Sequence, residues 1–457
     1  MAGRADEFWL AHALLPSGWA QAVRIEITDG LITAVTPDAG AGGAMRLPGI
    51  AVPGIPNLHS HAFQRGMAGL TETSGPAADS FWTWREVMYR FLARLEPPDV
   101  EAISAYAYMR MLESGFTVVG EFHYLHHAPD GRPYADPAEL SGRIIAAAAT
   151  TGIGLTLLPC FYRYGGFNAA APTDGQRRFV TEPDGFLRLL EAARGHLAKL
   201  PGARLGIAPH SLRAVSPEDL QVLLAAVPAG PVHIHAAEQT AEVADAERAL
   251  GAPPVGWLVN EAGVDARWCL IHATHMRDDE TIALARSGAV AGLCPLTEAN
   301  LGDGIFPGSA YVSTGGRFGI GSDSNVIIDP AAELRQLETS QRLLTRGRNL
   351  LPSVAGVSTG RFLLDRALAG GAQGLDQNTG ALAVGGRADI VVLDARHPDL
   401  AGRADDAWLD TWLFAVPSGL VRDVVAGGRH VVQGGRHVAG TPITAAWRAA
   451  MVRLAAA

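Results

Sequence analysis

The hydrophobic pattern changes character twice along the chain. The first fifty residues read as short strands and turns. Arg24-Ile25-Glu26-Ile27 alternates polar and apolar positions, Asp29-Gly30 is a turn signal, and residues 31–35 form a further strand-like run. The same texture returns late in the chain, where residues 388–394 read as a strand and residues 421–428 and 430–435 as a hairpin. These segments predict a small β-sandwich domain built from residues 1–50 and 375–457, with a C-terminal helix. Between them, over residues 51–374, apolar runs alternate with helical patterns such as residues 185–193. The runs are 50–52 leading into His59, then 116–123, 153–160, 205–210, 232–235, 269–272, 289–294 and 318–323. Runs apolar on both faces suit parallel strands covered by helices, so this span predicts a (β/α)8 barrel of the TIM type. A doubly wound open sheet is the alternative, but no glycine-rich nucleotide loop follows the first run.

Two excursions break the rhythm. Residues 70–98 carry Asp79-Ser80-Phe81-Trp82-Thr83-Trp84-Arg85-Glu86, read either as an aromatic helix packed on the barrel or as a lid over its mouth. Residues 164–179 are rich in glycine and alanine and read as a mobile loop. The first excursion is the expected contributor to a pocket, because aromatics and an arginine suit ligand capture.

Composition narrows the function. The chain has 457 residues, 48% of them hydrophobic, enough for one large domain with an appendage. A net charge of -9 argues against a nucleic-acid partner, which needs a basic face. No apolar run is long enough to span a membrane, and the N-terminus lacks a signal-peptide pattern, so a cytoplasmic protein is expected. Cys160, Cys269 and Cys294 lie in apolar runs and read as core residues in a reducing compartment. Lys199 is the only lysine.

In a barrel of this kind the working groups stand at the C-terminal ends of the strands. His59 and His61 are two residues apart, so on a strand both imidazoles point the same way and can aim at one ion. An isolated pair of this kind is a weak signal. Here Glu121 and His123 end the second run, His210 the fourth, His235 and Glu238 the fifth, His272 the sixth and Asp323 the eighth. Such groups at the same end of many strands point to a metal-dependent active site.

These residues resemble the amidohydrolase superfamily, in its deaminase branch with one metal. His59-Ser60-His61, His235, His272 and Gly321-Ser322-Asp323 carry the likeness, and His235-Ala236-Ala237-Glu238 is similar to that branch's strand-five motif. The likeness covers nearly the whole chain. It implies one divalent ion on His59, His61, His235 and Asp323, zinc by the family's habit, although iron suits the same donors. Two-metal members bridge their ions with a carboxylated lysine on strand four; residues 205–210 hold none, which excludes that arrangement. The implied catalytic set is Asp323 taking the water's proton, His272 stabilising the developing tetrahedral centre, and Glu238 as general acid.

A narrower resemblance is to the formimidoylglutamate deiminase family of histidine degradation. It rests on Asn57-Leu58-His59-Ser60-His61-Ala62-Phe63-Gln64-Arg65, Ser80-Phe81-Trp82-Thr83-Trp84-Arg85, Glu121-Phe122-His123-Tyr124-Leu125-His126-His127 and the tract 294–304. It implies hydrolysis of N-formimidoyl-L-glutamate, a small dicarboxylate, to N-formyl-L-glutamate and ammonia. Arginine forks bind carboxylates, which makes Arg85 and Arg213 the expected clamps, with Gln64, Tyr124 and His210 as further contacts. Glu121, His123, His126, His127, His233 and His275 are expected to be structural. The resemblance also implies a homodimer. The competing expectations are a deaminase or chlorohydrolase for a purine, pyrimidine or triazine, and a metal-free scaffold of the same fold.

Overall fold

The computed structural model describes residues 6–74, 81–352 and 354–456. Asp79 and Ser80 of the aromatic excursion lie outside them. The two chain ends form one eight-stranded sheet, which in spatial order runs Arg436–His437, Arg429–Gln433, Val421–Ala426, Ile390–Leu393, Met45–Pro53, Asp6–Leu15, Gly18–Thr28, Leu31–Thr36. Met45–Pro53 joins the ends, pairing parallel with Asp6–Leu15 and antiparallel with Ile390–Leu393.

This corrects one expectation. The run 50–52 does not open the barrel; it is the central strand of the terminal sheet. Its residues are apolar on both faces because successive side chains point opposite ways. Ala51 faces the sheet's own core with Phe8, Leu10, Ile25, Ile390 and Val392, whereas Ile50 and Val52 join the core shared with the barrel. A strand sandwiched between two cores has the same pattern as a buried parallel strand.

The barrel's first strand is Ile55–Ser60, directly after Gly54. The others are Phe116–His123, Gly154–Phe161, Arg204–Leu205 continued by Ala208–Pro209, Val232–Ala236, Trp268–His272, Val290–Leu293 and Arg317–Ile320. Their pairings are parallel, and the bridges Ile207–Val232 and Ser60–Asp323 close the ring. Gly321 makes the last closure possible, since a Cβ there would lie 2.7 Å from the backbone of His59.

The helices between strands follow local signals. Pro97–Ser114 starts with a Glu96/Asp99 capping box and Pro97 in its first turn, and stops at Gly115 with φ 109°. The C-terminal helix Gly440–Ala456 packs on this barrel helix, with the Tyr106 and Trp447 rings stacked at 4.4 Å. It therefore belongs with the barrel's outer layer and not with the small sheet, because its apolar positions find a helix surface there. No helix among the described residues is long and apolar enough to cross a membrane.

Candidate active site

The ends of the first, fifth and eighth strands bring four donor groups together. His59 Nε2 is 3.2 Å from His235 Nε2, and Asp323 Oδ1 is 3.6 Å from His59 Nε2 and 3.5 Å from His61 Nε2. His61 Nδ1 lies 2.7 Å from the Phe122 carbonyl and His235 Nδ1 2.9 Å from the His210 carbonyl. A carbonyl only accepts, so each Nδ1 carries the proton and each Nε2 presents a lone pair. Burial pushes His59 down to about 3 and lowers His61 and His235 as well, which keeps the imidazoles neutral. Burial pushes Asp323 up, but the neighbouring rings of His59, His61 and His272 outweigh it and hold the carboxyl well below its usual range. Lone pairs converging at buried positions repel unless a cation lies between them, so the donor set fits a divalent metal.

A buried polar network holds this cluster in register. Asn57 Nδ2 donates to Ser322 Oγ at 2.7 Å, and Ser322 N donates back to Asn57 Oδ1 at 3.0 Å. Asn325 Nδ2 reaches Ser60 Oγ and the His61 carbonyl, both at 3.2 Å, while its Oδ1 accepts from Ser322 Oγ at 2.7 Å. Strands one and eight are thereby locked at the point where His59, His61 and Asp323 project.

His272 stands beside the donors with a left-handed backbone, φ 69°. Its Nδ1 is 3.2 Å from Glu298 Oε1; its Nε2 faces Glu238 Oε1 at 3.6 Å and Asp323 Oδ2 at 3.8 Å. Burial would lower its pKa, but Glu238, Glu298 and Asp323 raise it to about 10. Burial raises Glu238 to about 7, against the pull of His272 and Arg213. A carboxyl near neutrality beside an imidazolium is suited to proton transfer.

The opposite wall carries two arginines, Arg85 and Arg213. Arg85 lies on the helix Phe81–Leu92, with its guanidinium 4.6 Å from the Trp82 ring and 5.6 Å from that of Tyr89. Arg213 Nη2 is 3.9 Å from Glu238 Oε2. The Nε of both arginines is buried with no hydrogen-bond partner among the described residues. Gln64 Nε2 donates to Tyr124 Oη at 2.8 Å, Tyr124 Oη to Met88 Sδ at 3.1 Å, and Gln64 Oε1 is buried without a partner among the described residues. The His210 ring packs 4.7 Å from Tyr162 and 4.9 Å from His235. All eight residues, Gln64, Arg85, Tyr124, His210, Arg213, Glu238, His272 and Asp323, line one pocket with His61 and His235; His59 lies behind it.

Four further histidines donate to carbonyls: His126 to Cys160, His127 to Val180, His233 to Gly374 and His275 to Asp303. His123 is fully buried, with no hydrogen-bond partner on its ring among the described residues. Glu121 Oε1 accepts the Ala62 N–H at 2.7 Å, directly behind His61. Cys294 and Glu298 form a second cluster with His272, in which Glu298 accepts from the Cys294 N–H.

Sequence reading missed several pocket residues. Phe81, Trp84, Met88 and Tyr89 join Arg85 in the lining, at offsets of three, four, seven and eight residues from Phe81. That is one helix face, and its periodicity was available. Phe179 also lines the pocket. The second excursion, expected to contribute less than the first, therefore reaches the pocket at its end, where Arg178 and Phe179 are buried.

Comparison with known proteins agrees with this geometry. Residues 50–431 match the amidohydrolase family, and residues 10–48 match the formimidoylglutamate deiminase HutF N-terminal domain. The chain is 55% identical over 92% of both lengths to a formimidoylglutamate deiminase from Pseudomonas aeruginosa. A crystal structure of an amidohydrolase from Brucella melitensis superposes with a TM-score of 0.94 at 49% identity, covering 98% of this chain and 100% of that one. An adenosine deaminase from Xanthomonas campestris with bound zinc shares the fold at a TM-score of 0.81 and 19% identity, covering 99% and 98%.

Proposed function

The chain belongs to the amidohydrolase family, and within it to the formimidoylglutamate deiminases; from this premise we propose roles for the pocket residues. The enzyme hydrolyses N-formimidoyl-L-glutamate to N-formyl-L-glutamate and ammonia, a step of histidine degradation. The observation that carries this substrate is the pair of arginines, each with a buried Nε that has no hydrogen-bond partner among the described residues, facing the same pocket as the donor cluster. Two carboxylates supply what those guanidinium groups lack.

His59, His61, His235 and Asp323 hold one divalent ion, zinc by its preference for imidazole and carboxylate donors. The bound ion supplies Lewis-acid chemistry, lowering the pKa of water toward neutrality. Arg85 and Arg213 take the substrate carboxylates and orient the formimidoyl carbon toward Asp323. Gln64 Oε1 accepts from a substrate N–H, with Tyr124 and His210 shaping the same subsite. Asp323 accepts a proton as the water oxygen adds to the formimidoyl carbon. Glu238 delivers a proton to the terminal nitrogen, and His272 Nε2 donates a hydrogen bond to the added oxygen. The second water proton then follows to the same nitrogen, the C–N bond breaks, and ammonia leaves.

A purine, pyrimidine or triazine substrate would leave both arginines without an anion, at a cost typical of unpaired buried polar groups. A metal-free scaffold would have no use for four converging donors. The test is ammonia release from N-formimidoyl-L-glutamate compared with guanine, cytosine and adenosine. Faster release from any of the heterocycles would sink the reading. A homodimer and a cytoplasmic location complete the proposal, the second consistent with three unpaired cysteines; light scattering and cell fractionation test them.

A further inference from the structure

Arg178 does not line the pocket, yet it connects the segments that form its anion-binding wall. The residue is 2% exposed. Its Nη1 donates to the Leu92 carbonyl and, at 2.9 Å, to the Leu95 carbonyl; its Nε donates to the His127 carbonyl at 2.8 Å. Its own carbonyl accepts from the N–H groups of His126 and His127, both at 3.0 Å. One residue thus joins the end of the Arg85 helix, the loop after strand two and the loop after strand three.

Each segment carries pocket groups. Phe81–Leu92 presents Arg85 and Tyr89, the strand-two loop presents Tyr124, and the strand-three loop presents Phe179. The Phe179 ring lies 4.9 Å from Tyr124, 5.7 Å from Tyr162 and 6.2 Å from Tyr89. Gly175 lets that loop approach the helix, since a Cβ there would sit 2.5 Å from the Tyr89 ring.

The physical reason for an arginine here is the helix end. The last carbonyls of a helix lack intrahelical partners and carry partial negative charge. A guanidinium offers several N–H donors in a planar fork, so one side chain can serve the last helix carbonyl, Leu92, the Leu95 carbonyl in the turn that follows, and the His127 loop carbonyl together. Phe81–Leu92 also packs on the short turns Ala62–Met67 and Asp174–Gln176.

We propose that Arg178 is a positioning residue for substrate recognition: by capping the Arg85-bearing helix and tying it to two pocket loops, it sets where the Arg85 guanidinium stands. The inference rests on the carboxylate-clamp reading of Arg85. The experiment measures KM and kcat of the metal-loaded full-length enzyme, with metal content, for Arg178→Met, Arg85→Ala and the double variant. Arg178→Met is expected to raise KM about tenfold, with kcat changed less than about threefold and metal content unchanged. In the Arg85→Ala background the same change is expected to move KM by less than about twofold, because the residue acts through Arg85. Multiplicative KM effects in the double variant overturn the proposal. So does a raised KM in Arg178→Met beside an unchanged KM in Arg85→Ala, a result that also removes the clamp reading. An unchanged KM in Arg178→Met alone overturns the proposal and leaves the clamp intact. If Arg178→Met does not fold, Arg178→Lys carries the test: it keeps the charge near the helix end but loses the fork, and KM should still rise.

Discussion

The two walls of the pocket are built differently. The donor wall stands on barrel strand ends, and Asn57, Ser60, Ser322 and Asn325 cross-link it within the barrel. The anion wall stands on a helix and loops inserted outside the strand ladder, and is held by caps and ring contacts such as those of Arg178 and Phe179. Strand-end groups are placed by the same hydrogen bonds that close the barrel, so the chemistry is as rigid as the fold. Recognition is assigned to segments that can change without breaking that ladder. Changes at the donor wall should therefore act on metal and kcat, and changes at the anion wall on KM.

The largest expected effect tests the donor wall directly. Chelation, or His235→Ala, should lower kcat at least about a thousandfold, and restoring zinc should rescue the chelated enzyme but not the variant. Metal analysis alongside ammonia release checks it; a chelated enzyme free of metal with full activity would break the comparison. Next is Glu238→Gln, which keeps the shape but cannot deliver a proton. It should lower kcat by about 10²- to 10⁴-fold with metal bound and KM little changed.

The anion wall comes third. Arg213→Ala should reduce kcat/KM about 100-fold, chiefly through KM, and Arg85→Ala about tenfold, since Arg213 also stands 3.9 Å from Glu238. Steady-state rates against substrate concentration separate the two parameters. The smallest effect sharpens the contrast within the donor wall. Asn325→Ala removes one of the side-chain links between strands one and eight and should weaken metal affinity about tenfold, read by competition with a chromophoric chelator. An unchanged affinity there would mean that the Asn57–Ser322 pair and backbone pairing hold the cluster without Asn325.

These contrasts also sort what could be read early. His59, His61, His235, His272 and Asp323 were legible because each follows an apolar run, and strand parity points alternate residues the same way. The helix face of Phe81, Trp84, Arg85, Met88 and Tyr89 was half legible: Arg85 was singled out, while its neighbours were not assigned to the pocket. Phe179 and Arg178 were not legible, because a loop has no periodicity to reveal which residues turn inward. The run 50–52 was misplaced because burial between two cores and burial within a barrel leave the same apolar pattern.

By itself the sequence determined the barrel and the terminal β domain, and its likeness to the amidohydrolases pointed to the donor residues and to the arginines expected to meet a dicarboxylate. The first two rest on hydrophobic pattern, which the chain carries locally, and the last two on motifs that the chain also carries locally. Only the tertiary structure decided that residues 50–52 belong to the terminal sheet, that both excursions form one wall, and that Arg178 caps the helix carrying Arg85. Each of these depends on contacts between segments far apart in the chain, such as Arg178 with Leu95, whose meeting is set by how the whole barrel closes.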